Sequence, residues 1–502
     1  MSAVSEAVRA GWTTPCHPWP RHVLDAAAWR AMAAALADAP GVDLIAQWAD
    51  GQLVHALLHD RALGAMLPVS VPVDSGFYPT LSRARPAAAW FERMIRDLWG
   101  HHAEDGRDGR PWLDHGAWAL HAPLSARPVA VSGQPEPPEF QAAEAAHLHQ
   151  IPLGPVLSGI GEPAQMRLTA AGERVVRLEA RLGYAHKGTL ALMRGKSPRA
   201  AARFAARLAG DATVAHSIAF ARAAETASGI AAPPRAVALR AVMLELERIA
   251  SHLSDLALIA DAAGFAPPGA PLARLRETLA RTAAAALGHR LMMDAVLPGG
   301  VAADIAPDGA EAIRTAARQV AELLPVIRSL FAQTQSFAER LAGCGVLRPE
   351  FAAALAVGGV VGRASGRSAD LRRDIAEPPY DTLLLGVPVR QEGDAAARAR
   401  LRFEEIAASA TLLPDLLAAL PAGPLNVPLP PVGGEGIGWA EGARGDVWHW
   451  LRLEGGQIMA AFARDPGWLV WPALEAAAAG IAVADVPLCL ASFGATVSGM
   501  DL

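Results

Sequence analysis

Cysteine is scarce in this sequence: three in 502 residues, at Cys16, Cys344 and Cys489. They lie far apart and form no CxxC pair. That argues against a disulfide framework and against a zinc or iron–sulfur site built by this chain alone. A basic excess is also missing. The formal charge is −5, with both signs interspersed, so the chain lacks the basic patch that a nucleic acid requires. Long apolar runs are absent as well. The two best, 351–362 (FAAALAVGGVVG) and 486–499 (VPLCLASFGATVSG), are uncharged stretches of 12 and 14 residues, short of the roughly 20 that cross a bilayer. Membrane attachment is therefore expected only through partner subunits, with these two stretches contributing to an apolar interface. The opening MSAVSEAVRAGWTTPCHPWPRH has no apolar core of the secretory kind, so the chain is expected to stay in the cytoplasm.

What is present is apolar and helix-prone. Hydrophobic residues make up 52 % of the chain, much of it alanine, which supports a large, mostly helical core. Such a length fits two or three domains. Residues 1–126 read as a mixed unit. Helices are expected over Ala27–Ala39 and Pro86–Trp99, the second with Trp90, Met94, Ile95 and Leu98 on one face. Strands are expected around the Asp50-Gly51 turn within Val42–Leu63. Residues 101–116 are polar and glycine-rich, a loop, and the proline-rich 127–149 reads as a linker. A hairpin follows over Gln165–Thr169 and Val175–Glu179.

Helical periodicity then runs from Ser197 to about Ala342. Within Ala236–Ala260 the residues Val242, Leu246, Ile249, Leu253 and Leu256 form one apolar stripe, with Glu245, Glu247 and Arg248 in between. Further helices are expected over 306–342 and 397–420. A hairpin over Asp446–Phe462 should turn at Gly455-Gly456. A short helix over Trp471–Ala479 and an irregular tail over 481–502 complete the reading.

Several stretches together carry a resemblance. Tyr78-Pro79-Thr80-Leu81, Pro86 to Arg93 and Arg96-Asp97-Leu98-Trp99-Gly100 resemble the 30-kDa-type subunit of respiratory complex I, a small docking module. Arg110 to Gly116 is similar to the version fused to large subunits in formate-hydrogenlyase-type hydrogenases. The remainder resembles the 49-kDa-type subunit of complex I and the large subunit of energy-converting nickel–iron hydrogenases. The matching stretches are Gly154-Pro155, Glu162-Pro163, Arg181 to Gly188, Gly210-Asp211 with Val214 to Ser217, and Leu244 to Leu253. They continue with Gly288-His289-Arg290, Pro298 to Val301, Gly362 to Gly366, Arg444-Gly445-Asp446 and Asp485 to Cys489, all in family order.

The resemblance implies an α+β fold: a small mixed N-terminal docking domain (1–126), a linker (127–149) and a large, mainly helical domain with flanking antiparallel strands (150–502). It also implies a peripheral subunit on the inner face of the cell membrane, in an obligate hetero-oligomer. The partners would be a small iron–sulfur subunit and membrane-embedded, antiporter-like proton-pumping subunits. Such a complex couples electron transfer, with a quinone-type acceptor as one option, to ion translocation. A non-redox coupling or scaffold subunit is the alternative.

The family's metal ligands are missing. Its first motif reads Arg-x-Cys-x-x-Cys, with a His shortly after. Here the stretch is Arg207-Leu208-Ala209-Gly210-Asp211-Ala212, with His216 following, so both thiolate positions are alanine. Near the C-terminus only Cys489 remains. Four thiolates hold nickel beside iron, and one cannot. No metal or other cofactor is expected on this chain, and an iron–sulfur cluster is expected on a partner. The quinone-binding His and Tyr of complex I are also absent, from the loop before Arg167 and from the position after Arg207.

A polar constellation remains. By resemblance Glu162, Asp211 and His216 are the catalytic, proton-handling candidates. Arg207, Arg363, Asp370, Asp485 and Cys489 are further candidates for the cavity or its proton path. A structural ion-pair network is the competing reading of the same residues. His186, His252 and His289 read as packing or interface residues, and His101, His102 and His115 lack metal-ligand spacing.

Overall fold

The computed structural model describes residues 2–131, 139–156 and 162–502. The chain opens on a five-stranded sheet whose spatial order is Trp12–Thr14, Arg21–Val23, Ala65–Pro72, Leu53–Asp60, Val42–Ala49. Gly51, with φ of +104°, makes the anticipated turn between the last two. Helix Ala26–Ala37 starts on Asp25, whose carboxylate accepts from the Ala28 N–H at 2.8 Å. Helix Ala88–Trp99 begins two residues after Pro86 and ends on left-handed Gly100. Strand Val42–Ala49 is buried along its whole length. One side packs on helix Ala88–Trp99. From the same strand Trp48 stacks on Phe462, centroids 5.2 Å apart, in a C-terminal strand. The loose alternation in the sequence reflects this two-sided burial.

Strands Leu148–Leu153, Gln165–Ala171 and Arg174–Arg181 form a three-stranded antiparallel sheet, which extends the expected hairpin by one strand on its first side. That added strand begins inside the stretch read as a linker, and Val129–Ala130 pairs with Leu120–His121 at the other end of it. The remaining linker residues, 132–138, lie outside the described residues.

Helix Pro234–Ala262 is the axis of the bundle. Helices Thr213–Ala227, Gly269–Leu287, Ala395–Ala418 and Val486–Phe493 all pack on it. The single stripe read from its sequence is therefore too narrow. Glu245, Glu247 and Arg248 are buried too, because neighbours cover this part of the helix: Arg372 pairs with Glu245, Glu405 with Arg248, and the Val214 and Ala215 N–H groups meet Glu247. The helices expected over 306–342 and 397–420 are Pro307–Gln333, Gln335–Leu341 and Ala395–Ala418.

The C-terminal hairpin Gly445–Glu454 and Gln457–Arg464 turns at Gly455-Gly456 as expected. A third strand, Gly434–Gly442, joins it. That strand lies against helix Thr213–Ala227 so closely that a Cβ on Gly438 would sit 2.1 Å from the Ala219 carbonyl oxygen. The tail is not irregular: it forms helices Val486–Phe493 and Ser498–Asp501 and ends on a buried Leu502. The stretches 351–362 and 486–499 are largely buried within the chain itself, so the apolar interface expected there is internal core.

Candidate functional site

A cavity of about 800 Å³ opens between the three-stranded sheet, helix Pro234–Ala262 and the C-terminal segment. Its walls are mostly apolar, with Ile151, Leu153, Met166, Leu168, Leu258 and Leu490, and they also carry Asp261, Arg276 and Arg290. Its polar end carries Glu162, Asp211, Glu247 and Arg444.

Each polar group is held by a different part of the chain. Asp211 precedes helix Thr213–Ala227 and is ion-paired with Arg444. Arg444 sits at the turn between two strands, where Gly445 takes a φ of +138°. Its other arm reaches Asp255 at 2.8 Å, and Arg402 holds the same carboxylate at 3.0 Å. Gly494 closes over this cluster. A Cβ there would lie 3.0 Å from Arg444 Nε and 3.1 Å from Arg402 Nη2, so a side chain would collide with the charges. Burial opposes ionisation of Asp255, yet Arg444 and Arg402 outweigh it and hold that carboxyl at about 2. Asp211 goes the other way. Burial raises it above the ordinary carboxylate range against the pull of Arg444, and Asp465 and Asp255 add to the rise. Glu247 accepts the first-turn N–H groups of Val214 and Ala215, at 2.6 and 3.0 Å. Burial still pushes it up to about 8. The Glu162 carboxylate accepts from the Val497 N–H and the Ser498 hydroxyl, which ties the cavity wall to the C-terminal segment.

The structure brings Glu162 and Asp211 to one cavity and sends the other candidates elsewhere. His216 is fully buried behind the floor, 3.1 Å from Asp465 and 3.0 Å from His449. Arg207 points to the surface in an exposed bidentate pair with Asp294, 2.7 Å on each arm. Arg363 and Asp370 belong to a separate buried ionic cluster. In it Arg363 meets Glu405 at 2.8 Å and Glu441 at 3.2 Å, Arg372 meets Asp370 at 2.7 Å, and His252 meets Glu405 at 3.0 Å. Burial, with Asp370 adding to it, pushes Glu441 up to about 8. Asp485 pairs with Arg340 at 3.1 Å. The Cys489 thiol is buried beside Gly345 and Arg398, away from the cavity, and burial pushes it up to about 11. His186 stacks on Trp118 and His289 accepts from the backbone of its own turn, both packing roles. The constellation read from the sequence lacks Glu247, Asp255, Arg444 and Asp465.

Comparison with known proteins fits this architecture. Residues 264–432 match the family described as respiratory-chain NADH dehydrogenase, 49 Kd subunit, and residues 187–255 match nickel-dependent hydrogenase. The chain is 29 % identical to formate hydrogenlyase subunit 5 of Escherichia coli K12, over 89 % of this chain and 81 % of that one. It is 31 % identical to an NADH-quinone oxidoreductase component of Acidiphilium cryptum, over 56 % of this chain and 69 % of that one. A chain of the membrane-bound sulfane sulfur reductase, an archaeal respiratory membrane complex, shares the fold. Its TM-score is 0.67 at 24 % identity, over 72 % of this chain and all of that one.

The chain belongs to the complex I 49-kDa and hydrogenase large-subunit superfamily.

Gly210 and Asp211 line the large cavity, and Ala212 lines a small void that shares Asp211 and Arg444 with it. Gly494 and Thr496 line the same small void as Ala212, and Cys489 lines neither space. All three thiols are buried elsewhere. Among the described residues no group of three or more His, Cys, Asp or Glu is placed to hold a metal ion. Carboxylates, guanidinium and a threonine are hard or cationic groups, and a nickel–iron group does not fit them. No helix among the described residues is long and apolar enough to cross a membrane.

Proposed function

We propose that this chain is the large peripheral subunit of a membrane-bound complex that couples electron transfer to ion translocation without a nickel–iron centre. Residues 1–126 would serve as the docking unit and 150–502 as the substrate-facing unit. Electrons would arrive from an iron–sulfur cluster on a small partner subunit, and antiporter-like membrane subunits would move the ion at the inner face of the membrane. The relatives support the setting, since their names include a formate hydrogenlyase and NADH-quinone oxidoreductases.

The observation that carries the chemistry is the cavity: apolar walls ending in a raised Asp211 beside Arg444. Apolar walls suit a flat, poorly soluble acceptor such as a quinone. Arg444 would stabilise negative charge growing on an acceptor oxygen, and Asp211, raised above the ordinary carboxylate range by burial, would supply the proton. Glu162, on the same wall, would carry protons between this end and the C-terminal segment.

The test is Asp211→Asn, with Glu162→Gln beside it, in the assembled complex. Each replacement keeps shape and hydrogen-bonding capacity and removes a titrating group. Assembly should survive and proton-coupled activity should fall by about 10²-fold. Full activity in normally assembled Asp211→Asn complex refutes the proton role. A second reading, coupling without redox chemistry, is favoured by the Arg363–Glu405–Glu441 cluster, whose raised Glu441 could bind and release a proton without lining the cavity. Ion movement with no acceptor reduced would select it.

A further inference from the structure

The large cavity runs along one face of helix Pro234–Ala262. Glu247, Ser251, Ser254, Leu258 and Asp261 line it at spacings of three and four residues. At 1.5 Å per residue that row is about 21 Å long. The space is therefore a slot that suits an elongated molecule. The Ser251 hydroxyl donates to the Asp211 carbonyl at 2.8 Å, which fixes Asp211 to the first half of the row.

Helix Gly269–Leu287 packs beside it and contributes Arg276 to the lining. Leu272, four residues before Arg276, and Leu279 and Ala280, three and four after it, are all buried. Residues at those spacings share a helix face, so Arg276 lies on the inward side of its helix and not on the solvated one. It is half-buried. An arginine on an outer face is ordinary; one turned inward calls for a partner. The guanidinium cannot shed its charge by losing a proton, and a charge drawn out of water costs free energy unless an anion meets it.

Three arginines line the cavity, and two of them are matched. Arg444 is held by Asp211 and Asp255. Arg290 is exposed and pairs with Glu277 at 2.7 Å. Arg276 has no hydrogen bond or ion pair among the described residues. Asp261 also lines the cavity, but it is exposed and no ion pair joins it to Arg276, so water solvates its charge. The slot thus holds one inward cation whose anion the chain does not supply.

We propose that Arg276 binds an oxyanion on the acceptor, so that the cavity selects an elongated, apolar acceptor carrying a carboxylate, sulfonate or phosphate group. The planar guanidinium offers such a group two parallel N–H donors. The oxyanion is bound and not transformed: no bond forms or breaks there, and electron and proton transfer stay at the Arg444 and Asp211 end. This rests on the acceptor role proposed for the cavity and adds the charge of the acceptor to it.

Equilibrium dialysis of the intact complex tests it with two flat quinones substituted at the same carbon, anthraquinone sulfonate and the neutral hydroxymethyl anthraquinone. The sulfonate should bind about tenfold more tightly, and its advantage should shrink as salt is added. Arg276→Gln should remove the advantage and leave the Kd of the neutral probe unchanged, whereas Arg276→Lys should keep part of it. Arg274→Gln takes the same charge from the exposed side of the helix and should alter neither Kd. Equal binding of the two probes by the wild-type complex overturns the assignment. So does an advantage that survives Arg276→Gln, or one that Arg274→Gln abolishes as fully. Because the readout is binding, it stands apart from the redox reading. If the advantage depends on Arg276 while Asp211→Asn keeps full activity, the proton role of Asp211 fails and the anion site stands.

Discussion

At the scale of single residues, the floor of the cavity is a contest between burial and charge. Glu247 and Asp255 lie two helical turns apart on one helix, yet they are driven in opposite directions. Two guanidinium groups hold Asp255 near 2, while Glu247, with backbone N–H groups as its partners, is pushed up to about 8. The sign of the consequence follows. A carboxyl whose folded value is raised contributes stability below its unfolded value, near 4.5, and loses that contribution as pH rises through about 8. Thermal unfolding of the complex measured between these limits should therefore show declining stability with rising pH. Glu247→Gln, which removes the titrating group and can accept from only one of the Val214 and Ala215 N–H groups, should flatten that decline while lowering stability overall. An unchanged slope would show that Glu247 is ionised throughout. Asp211 and His216 are legible in the sequence because the family motif places them five residues apart. Arg444 lies within a matching stretch but has no role legible there, because its partner Asp211 is 233 positions away and nothing local signals an ion pair of that span. Arg207, next to the motif, misleads for the converse reason: proximity in sequence does not decide on which side of a turn a long side chain emerges.

At the scale of elements, spacing is a good guide wherever one face of an element is buried and a poor one where both are. The helices near Ala27 and Pro86 and the hairpin at Gly455-Gly456 follow from periodicity and turn residues. Helix Pro234–Ala262 is legible too, but its charged residues read as lying outside the core, because a stripe of aliphatics looks the same whether or not ionic clusters fill the remaining faces. Strand Gly434–Gly442 is not legible at all. Its glycines at 434, 436 and 438 weaken a strand on propensity grounds, and only the contact with helix Thr213–Ala227 explains them. That contact gives a prediction. Gly438→Ala would force a methyl against the Ala219 carbonyl and should destabilise the protein by about 1–3 kcal/mol or more, the usual cost of overpacking. Gly480→Ala is the control for positive φ without crowding, since nothing lies within 4 Å of its Cβ position. Denaturant titration of both variants separates the two effects, and equal losses would contradict the packing argument.

At the scale of the whole molecule, the N-terminal sheet and the C-terminal sheet are stitched together. Arg21 pairs with Glu435 at 2.8 Å, Arg452 pairs with Asp50, and Trp48 packs on both Trp450 and Phe462, while Arg367, from the segment between the helices, reaches Asp43 at 2.7 Å. Residues 1–131 and 139–502 produced as two polypeptides should therefore copurify, and Trp48→Ala should weaken their association by several kcal/mol, on the order of the 3–5 lost when a buried tryptophan is truncated. Two independently soluble, non-associating pieces would contradict this. The same long-range folding brings residues 211, 444 and 494 to one point and so makes the cavity floor a carboxylate–guanidinium site, one with hard and cationic groups that do not suit a nickel–iron group. The most direct test of that central claim is elemental analysis of the intact complex, purified through this chain. The account predicts no stoichiometric nickel, and about one nickel per chain would contradict it.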